Sequence, residues 1–342
     1  MKDLAGSRAL ITGASGFIGG YLMESLRSSG MTVLGIDNMV DEGQPSENTP
    51  EARIVPCDVT NFAELRQLTV DFQPDFIYHL AAQSLPTESW RDPWKTMETN
   101  SNGTINVLEA VRAIRTKPHV FVACSSAEYG LSAFQGKALT EETPLNPVHP
   151  YGVSKVAQDL LSQQYFHTYG IHTIRGRIFN TIGPGKVHDA PSDFARKIVA
   201  AESRTPAQVS VGNLKAERDF TDVRDQVRSI RLLTEGGEAG QVYNLSSGHA
   251  SSMQTVIDIL VGLARKPIAI VHSASLDRPT DEPLILGDNR RLVTGFGWKP
   301  QYELKQTLRD IVDYWRARPE ELTVGLELPS GSQGSPSSAA TV

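Results

Sequence analysis

Residues 10–19 read LITGASGFIG, an apolar run followed by three glycines that are three positions apart. A strand that ends in such a turn and leads into a helix is the first unit of a parallel α/β sheet. We expect Gly13 to permit the tight turn, Gly16 to let a pyrophosphate approach the backbone, and Gly19 to let the helix pack closely. The segment predicts a dinucleotide-binding turn, although its spacing differs from the standard Gly-x-Gly-x-x-Gly.

Short apolar runs alternate with amphipathic stretches through the first half of the chain. Five runs are predicted strands: Arg8–Thr12, Thr32–Ile36, Arg53–Cys57, Phe76–Leu80 and Val120–Cys124. Three stretches between them are predicted helices: Phe17–Ser28, Phe62–Asp71 and Thr99–Arg115. This alternation is typical of βαβ crossovers, so the predicted fold class is α/β with a Rossmann-type, doubly wound parallel sheet.

The regular alternation stops near Thr181, where a Gly-Pro-Gly loop follows. Later predicted strands are Val242–Leu245 and Ile268–Val271, and later predicted helices are Ser252–Leu263 and Glu303–Arg316. We therefore predict three parts. They are a dinucleotide-binding Rossmann domain over residues 1–180 that includes the catalytic helix, a smaller α/β substrate lobe over residues 181–328, and a disordered Ser/Gly-rich tail over residues 329–342.

The composition excludes several classes of function. The 342 residues carry a formal net charge of -6 with no block of Lys or Arg, so neither a nucleic-acid nor a membrane partner is expected. No run of about 18 apolar residues and no signal peptide is found, which predicts a cytoplasmic protein. Cys57 and Cys124 each lie in a predicted buried strand, so neither a disulfide nor a metal site is expected.

Two aspartates follow predicted strands near the glycine turn. Asp37 ends the second strand about twenty residues past the glycines, where a carboxylate binds the adenine-ribose hydroxyls of NAD and repels a 2′-phosphate. The sequence therefore favours NAD(H), with NADP(H) as the alternative. A solvated loop aspartate is the other interpretation, because Asp41 and Glu42 lie close by. Asp58 is a weaker candidate for contact with the adenine and is equally suited to capping a helix.

Tyr151 and Lys155 lie at the start of another predicted helix, Tyr151–Tyr169, which follows His149-Pro150. A spacing of four residues puts both side chains on one face, one turn apart. A lysine ammonium near a phenol favours the phenolate, so we expect Lys155 to lower the pKa of Tyr151 and make it a general acid/base. The alternative is an ordinary surface helix, because Tyr-x-x-x-Lys is common by chance.

Ser125 and Ser126 directly follow the fifth predicted strand. The carboxyl ends of the strands form the ligand crevice of an α/β sheet. A hydroxyl group there can donate a hydrogen bond to an oxyanion that develops on the substrate. The two serines therefore predict an oxyanion contact, with ordinary turn chemistry as the alternative.

Together these motifs resemble the extended short-chain dehydrogenase/reductase family from about Ser7 to Arg318. Further matching motifs are HLAA at residues 79–82, NSNGT at residues 100–104 and RIFN at residues 177–180. The resemblance implies that Ser125 hydrogen-bonds the substrate, that Tyr151 is the acid/base, and that Lys155 also holds the nicotinamide ribose. It adds candidate cofactor contacts at Phe17, Ile18, Val59, Leu80, Ala81, Ala82 and Asn100.

Dehydration is the activity that the sequence disfavours. The sugar-nucleotide 4,6-dehydratases of this family need a glutamate acid two residues before the position of Tyr129. Ala127 stands there in this chain. Glu128 lies one place along, and a shift of one residue after a strand points a side chain to the other side. A GDP-mannose 4,6-dehydratase is therefore a disfavoured alternative.

The second half resembles GDP-4-keto-6-deoxy-D-mannose reductases, which make GDP-D-rhamnose, in residues 192–195, 211–225, 278–281 and 287–289. That resemblance implies a GDP-sugar substrate whose C4 carbonyl is reduced, with a talose product as the stereochemical alternative. Arginine suits phosphate oxygens because it is a charged, forked donor. An ion pair of Arg218 with Asp219 or Asp222 is the structural alternative for that residue. The candidate substrate contacts are Ser126, Asn180, Lys197, Arg218 and Arg278.

Two further classes of protein remain as alternatives. A nucleotide-sugar 4-epimerase would use the same Ser125, Tyr151 and Lys155 with a tightly bound NAD. A non-catalytic sensor is disfavoured because the tyrosine and the lysine are both present. Relatives commonly dimerise through the two helices at 99–115 and 151–169, so a homodimer is expected from the resemblance. His149 stands where many relatives have Ser, and no special role is expected for it.

Overall fold

The computed structural model describes residues 4–39, 52–276 and 282–322. Seven strands form one parallel sheet: β1 (Arg8–Thr12), β2 (Thr32–Asp37), β3 (Ala52–Pro56), β4 (Phe76–His79), β5 (His119–Ser125), β6 (Thr173–Ile178) and β10 (Val242–Leu245). Their order across the sheet is β10-β6-β5-β4-β1-β2-β3. The order reverses direction between β1 and β4, and ligands bind at such a switch point. The predicted fold class is confirmed.

Helices cover both faces of this sheet, which is why most of the sheet strands are almost wholly apolar. The first six are α1 (Phe17–Arg27), α2 (Phe62–Phe72), α3 (Pro86–Arg91), α4 (Pro93–Met97), α5 (Gly103–Arg112) and α6 (Pro150–Tyr169). The others are α7 (Ala190–Ala201), α8 (Val223–Gly236), α9 (Met253–Gly262), α10 (Arg290–Phe296) and α11 (Leu304–Arg316). In the described part of the chain, no helix combines the length and the apolar character that crossing a bilayer requires.

The predicted helix 99–115 differs from the structure at its start. A π-helical turn over Glu98–Asn102 precedes α5, and α5 itself ends at Arg112. The wider turn directs the Asn100 side chain inward, where its amide binds Gln83 and Ser154. Hydrophobic periodicity cannot reveal a π-helical turn, because the change is local and is stabilised by tertiary hydrogen bonds.

The predicted domain boundary at residues 180/181 is wrong in part. Strand β10 and helix α8 come from the second half of the chain but complete the first domain. Val227, Ile230 and Tyr243 are buried in the same apolar cluster as Ile11 and Phe121. The physical reason is that β6 would otherwise be an open edge, and α8 supplies the crossover that a parallel partner strand needs. Helix α10 also packs on the first domain, against α8 and β10.

The smaller lobe is built from the other strands and helices of the second half. Its strands are β7 (Asn180–Ile182), β8 (Gln208–Val211), β9 (Glu217–Asp222), β11 (Ala250–Ser252), β12 (Ala269–His272) and β13 (Leu284–Ile285). Helices α7, α9 and α11 enclose its apolar core, which includes Ile198, Ile257, Leu308 and Trp315. The predicted tail at 329–342 lies outside the described residues.

Candidate active site

The glycine turn packs against the loop that follows β4. Gly13 has a φ of +73°, and a Cβ atom there would lie 2.7 Å from the backbone nitrogen of Ala81. A Cβ on Gly19 would lie 2.2 Å from the carbonyl oxygen of Gly13, so α1 packs as closely as predicted. Gly16 is the N-cap of α1. The turn therefore leaves the helix N-terminus bare of side chains, and phosphate groups of a dinucleotide fit such a surface.

Asp37 is fixed beside this turn. Its carboxylate accepts hydrogen bonds of 3.0 Å from the backbone nitrogens of Ser15 and Met39. The carboxylate thus lies at the carboxyl end of β2 next to the glycine turn, as the ribose contact requires. Phe17 and Ile18 form the first turn of α1.

Asp58 has structural partners of its own. Its carboxylate accepts hydrogen bonds from the backbone nitrogen and the hydroxyl of Thr60, and from the side chain of Asn38 at 2.9 Å. Asn61, not Asp58, caps α2. Val59 packs against Gly103, where a Cβ atom would lie 2.8 Å from the valine. Contacts of Asp58 and Val59 with the adenine stay predictions.

Asn100 ties the loop after β4, which carries Leu80–Ala82, to the catalytic helix. Its side chain is fully buried. The amide oxygen accepts from the backbone of Gln83 at 2.8 Å, and the amide nitrogen donates to Gln83 and to the hydroxyl of Ser154. The structure thus gives Asn100 a role in positioning the loop, and its direct contact with the cofactor stays a prediction.

Ser125, Tyr151 and Lys155 meet at the carboxyl edge of the sheet. Ser125 ends β5, and the other two residues lie in the first turns of α6. Lys155 is buried, and its ammonium nitrogen lies 5.7 Å from the centroid of the Tyr151 ring. The helix begins cleanly because Nδ1 of His149 accepts a 2.9 Å hydrogen bond from the backbone of Gly152. His149 is therefore the N-cap, a structural role that its residue type did not predict.

Burial controls the protonation of the catalytic pair. It raises the pKa of Tyr151 to about 12, although a hydrogen bond with Ser125 acts in the opposite direction. It also lowers the pKa of Lys155 to about 8. The expectation of a lowered pKa for Tyr151 is wrong, because desolvation of the buried phenol is the largest effect. The ammonium group of Lys155 lies 5.7 Å from the ring centroid and donates to the carbonyl of Ala123, and it does not reverse that effect. A neutral phenol is the form that can donate a proton.

Glu128 points away from the cleft, as its position predicted. It is fully buried, and one carboxyl oxygen accepts a 2.7 Å hydrogen bond from the backbone nitrogen of Ser125. The other oxygen lies 3.3 Å from Nε of Arg177. Ala127, at the position of the dehydratase acid, has no proton to give. Ser126 precedes it and is partly exposed.

Sequence reasoning missed a buried ionic network behind the serine. Asp159 lies one turn beyond Lys155 on α6 and binds both Arg175 and Arg177 of β6. Arg177 also donates to the hydroxyl of Tyr129 at 3.1 Å. The signal that could have found Asp159 is the spacing of four residues that already joins Tyr151 to Lys155.

Arg218 lies on β9 and is held by backbone groups. It donates to the carbonyl oxygens of Glu217 and Glu282, and its guanidinium lies 3.7 Å from the Glu282 carboxylate. The alternative partners are engaged elsewhere, because Asp219 accepts from Ser247 and Gly248, and Asp222 pairs with Arg224. The partner of Arg218 is thus neither aspartate.

The other candidate substrate contacts are spread over the smaller lobe. Asn180 begins β7 and donates a 3.5 Å hydrogen bond to the carbonyl oxygen of Asp219. Lys197 is partly exposed on α7, where its charge lowers the pKa of Asp193 against the larger effect of burial. Arg278 lies outside the described residues. Asn180 and Arg218 are therefore on neighbouring strands, whereas Lys197 is on a separate helix.

The model of the GDP-mannose 4,6 dehydratase family matches residues 10–311, which span the glycine turn, the catalytic helix and most of the smaller lobe. The chain belongs to that family. The resemblance to extended short-chain dehydrogenases/reductases is thereby confirmed. Nothing in the match distinguishes dehydratases from the other reactions of the family.

Relatives of this chain within the family catalyse different reactions. A GDP-6-deoxy-D-mannose reductase from Pseudomonas aeruginosa is 33% identical over 92% of this chain and 99% of its own. The structure of RMD from Pseudomonas aeruginosa complexed with NADPH has a TM-score of 0.79 at 30% identity, covering 91% of this chain and 99% of that one. The UDP-glucose 4-epimerase of Thermus thermophilus in complex with NAD has the same TM-score at 25% identity, with the same coverage.

The family uses nicotinamide cofactors, and its members act on nucleotide sugars. This chain is therefore an NAD(P)-dependent enzyme of nucleotide-sugar chemistry. The described residues fit the cofactor. Gly13 and Gly16 leave the N-terminus of α1 free of side chains, and Asp37 lies at the end of β2. The preference for NAD(H) over NADP(H) stays a prediction.

Proposed function

We propose that this chain reduces the C4 carbonyl of GDP-4-keto-6-deoxy-D-mannose to GDP-6-deoxy-D-mannose, which is GDP-D-rhamnose. The observation that carries the proposal is the contrast between Ala127 and its neighbours. Ala127 stands where a dehydratase has its acid, and the side chain of Glu128 lies in the core. Ser125, Tyr151 and Lys155 nevertheless meet at the sheet edge. The relative from Pseudomonas aeruginosa supports the same choice.

In this reaction Tyr151 is the general acid. When bound, the reduced nicotinamide supplies the hydride. Tyr151 donates its proton to the C4 oxygen as negative charge develops there, since burial keeps the phenol protonated at neutral pH. The ammonium group of Lys155 then lies close enough to the ring to stabilise the phenolate that remains.

Ser125 is oriented to donate to the same oxygen. Its Oγ atom accepts a 3.2 Å hydrogen bond from the backbone nitrogen of Ala127. One lone pair is thus occupied by an N–H group, so the hydroxyl hydrogen points to the Tyr151 oxygen in the free protein and is available for the substrate oxygen in the complex. A donor fixed in advance stabilises a developing oxyanion without reorganisation.

The nucleotide would be held by the smaller lobe. Arg218 and Asn180 on adjacent strands, with Lys197 and Arg278, are the proposed contacts of the GDP diphosphate and nucleoside. Binding energy from these remote groups is used to hold C4 near the hydride donor.

The deciding experiment mixes the protein with GDP-4-keto-6-deoxy-D-mannose and follows the absorbance of NADH or NADPH. We expect stoichiometric oxidation of the reduced cofactor and none with Tyr151→Phe, which should still bind cofactor. Absence of oxidation with either cofactor would reject the reductase.

A nucleotide-sugar 4-epimerase is the second candidate, because it needs the same three catalytic residues. The fold similarity to the Thermus epimerase is equal to that of RMD. An epimerase keeps NAD through each turnover, whereas a reductase must exchange its cofactor. NAD retained through purification, together with no net oxidation, would favour the epimerase.

We also propose that the protein is a cytoplasmic homodimer formed through α5 and α6. Val153 and Leu160 are exposed apolar side chains on α6, and two exposed tryptophans, Trp90 and Trp94, lie on the neighbouring helices α3 and α4. A double Val153→Glu, Leu160→Glu variant should run as a monomer in light scattering. A wild-type protein that is itself monomeric would refute the dimer.

A further inference from the structure

Glu128 is buried directly behind the catalytic serine. One of its carboxyl oxygens accepts the 2.7 Å hydrogen bond from the backbone nitrogen of Ser125. In return, the Ser125 hydroxyl oxygen accepts from the backbone of Ala127. This reciprocal arrangement is a capping box at the start of a short helical turn. The side chain of Glu128 therefore fixes the backbone position from which the serine reaches the cleft.

The second carboxyl oxygen of Glu128 has no hydrogen-bond partner among the described residues. Arg177 is near it, but the Nε hydrogen of Arg177 goes to Asp159 at 2.9 Å. Carboxyl oxygens of Glu128 and Asp159 lie within 4.8 Å of one another. A buried carboxylate oxygen without a donor is unfavourable. A proton on that oxygen would remove the penalty by donating towards Asp159.

The charges around Glu128 agree with this protonation. Facing it are Asp159, Lys155 and Tyr151 from α6, Arg177 from β6, Cys124 from β5, and the adjacent Tyr129. Burial and the Asp159 carboxylate raise the pKa of Glu128, and together they outweigh the attraction of Arg177. A negative charge on Glu128 is one of the causes that raise the pKa of Tyr151, and it therefore opposes the transfer of the phenol's proton.

We propose that Glu128 is a positioning residue which, as a neutral acid lying against Asp159, fixes Ser125 and keeps negative charge away from the Tyr151 phenol. This inference rests on the proposed function, because it concerns the same catalytic site. It also gives Glu128 a role in a site where the neighbouring position, Ala127, lacks the dehydratase acid.

Two substitutions separate the parts of this role. Glu128→Gln keeps an oxygen for the Ser125 amide and offers an N–H group towards Asp159, so it copies the neutral acid. Glu128→Leu removes both interactions at similar volume. We expect Glu128→Gln to keep kcat within about twofold and Glu128→Leu to lower it roughly tenfold, with KM nearly unchanged in both. Wild-type kcat in Glu128→Leu, or an equal loss in both variants, would overturn the proposal.

Glu235 provides the matched control. It is a buried glutamate on α8, paired with Arg231 at 3.0 Å and remote from the catalytic residues. Glu235→Gln and Glu235→Leu should leave kcat unchanged. A kcat loss in Glu235→Leu equal to that of Glu128→Leu would show that loss of any buried carboxyl group suffices, and would reject the positioning role.

A second readout needs no turnover. The infrared difference spectrum between the wild-type protein and Glu128→Gln at neutral pH should contain the carbonyl band of a protonated carboxylic acid. A carboxylate band in its place would overturn the neutral acid, even if Glu128→Leu fails to fold. If the chain does not reduce the keto sugar, the proposed function fails. The spectrum still decides the state of Glu128, and kcat is then compared in the nucleotide-sugar reaction that is found.

Discussion

The ammonium group of Lys155 donates a 2.8 Å hydrogen bond to the carbonyl oxygen of Ala123, two residues before the catalytic serine. This bond connects the catalytic helix to β5 and fixes the spacing between the two parts of the site. The ammonium group of Lys155 thus contacts the backbone carbonyl of Ala123 and lies near the Tyr151 ring. Its charge can be tested separately from its packing.

Lys155→Met should lower kcat roughly a hundredfold at pH 7, because no cation remains to stabilise the phenolate. In the wild type, kcat should fall as pH rises through about 8, where the ammonium group loses its proton. Lys155→Arg stays charged, so its alkaline fall should lie at higher pH. The measurement is kcat against pH. An alkaline fall at the same pH in Lys155→Arg would contradict this assignment.

Gly13→Ala should destabilise the protein by about 1–3 kcal/mol, because a side chain is strained at a φ of +73°. Its Cβ would also collide with the backbone of Ala81. Gly20, on α1, is the control: a Cβ there has no neighbour within 4 Å. Gly20→Ala should add about 0.5–1 kcal/mol of stability. Denaturant unfolding of both variants measures the difference, and equal effects would refute the explanation.

Asp37→Ser should shift the cofactor preference towards NADPH. The carboxylate is fixed beside the glycine turn, so its removal relieves repulsion of a 2′-phosphate and removes the acceptor for the NAD ribose. We expect the ratio of kcat/KM for NADPH to that for NADH to rise by about tenfold, which corresponds to about 1.4 kcal/mol. An unchanged ratio would mean that Asp37 does not face the ribose.

We expect His79 to lower the free energy of unfolding at acidic pH. It is buried between the hydroxyl groups of Thr12 and Thr104, and burial lowers its pKa from 6.5 to about 3. The neutral ring is favoured in the folded state, so its contribution is complete above pH 6.5. That contribution decreases as the pH falls towards 3, by up to about 1.4 kcal/mol per pH unit.

Unfolding free energies of the wild type and His79→Gln between pH 7 and pH 4 test this effect. The difference between them should shrink as pH falls, because glutamine does not ionise. Parallel curves would show that the histidine is not held neutral.

Much of the fold could be predicted from local signals. The glycine turn and the apolar runs up to Val120–Cys124 gave the strands of the cofactor half to within one or two residues, since buried parallel strands are continuous apolar runs. The return of β10 to the sheet could not be predicted. Pairing with β6 depends on which edge is open in three dimensions, and Val242–Leu245 looks like any short apolar run.

The candidate site was predicted unevenly for a similar reason. Ser125, Tyr151 and Lys155 come from short motifs, and the structure brings them together. The pKa of Tyr151 was misjudged because spacing shows that a charge is near, whereas burial is set by the whole fold. Glu128 and Asp159 were missed as partners because 31 residues separate them in the chain, and a buried carboxyl pair leaves no mark on sequence periodicity.

The pairing of β10 with β6 also limits how lobes can be exchanged between related proteins. A gene cut after residue 180 would encode a cofactor half whose last strand, β6, has an unpaired edge, and an unpaired edge invites aggregation. The same cut would remove α8 from its place against α1. The exchangeable unit is therefore three inserts, at about 180–222, 246–289 and after 298, carried by a scaffold that keeps residues 223–245 and 290–298. Chimeras between relatives with different sugars should be built at those five junctions.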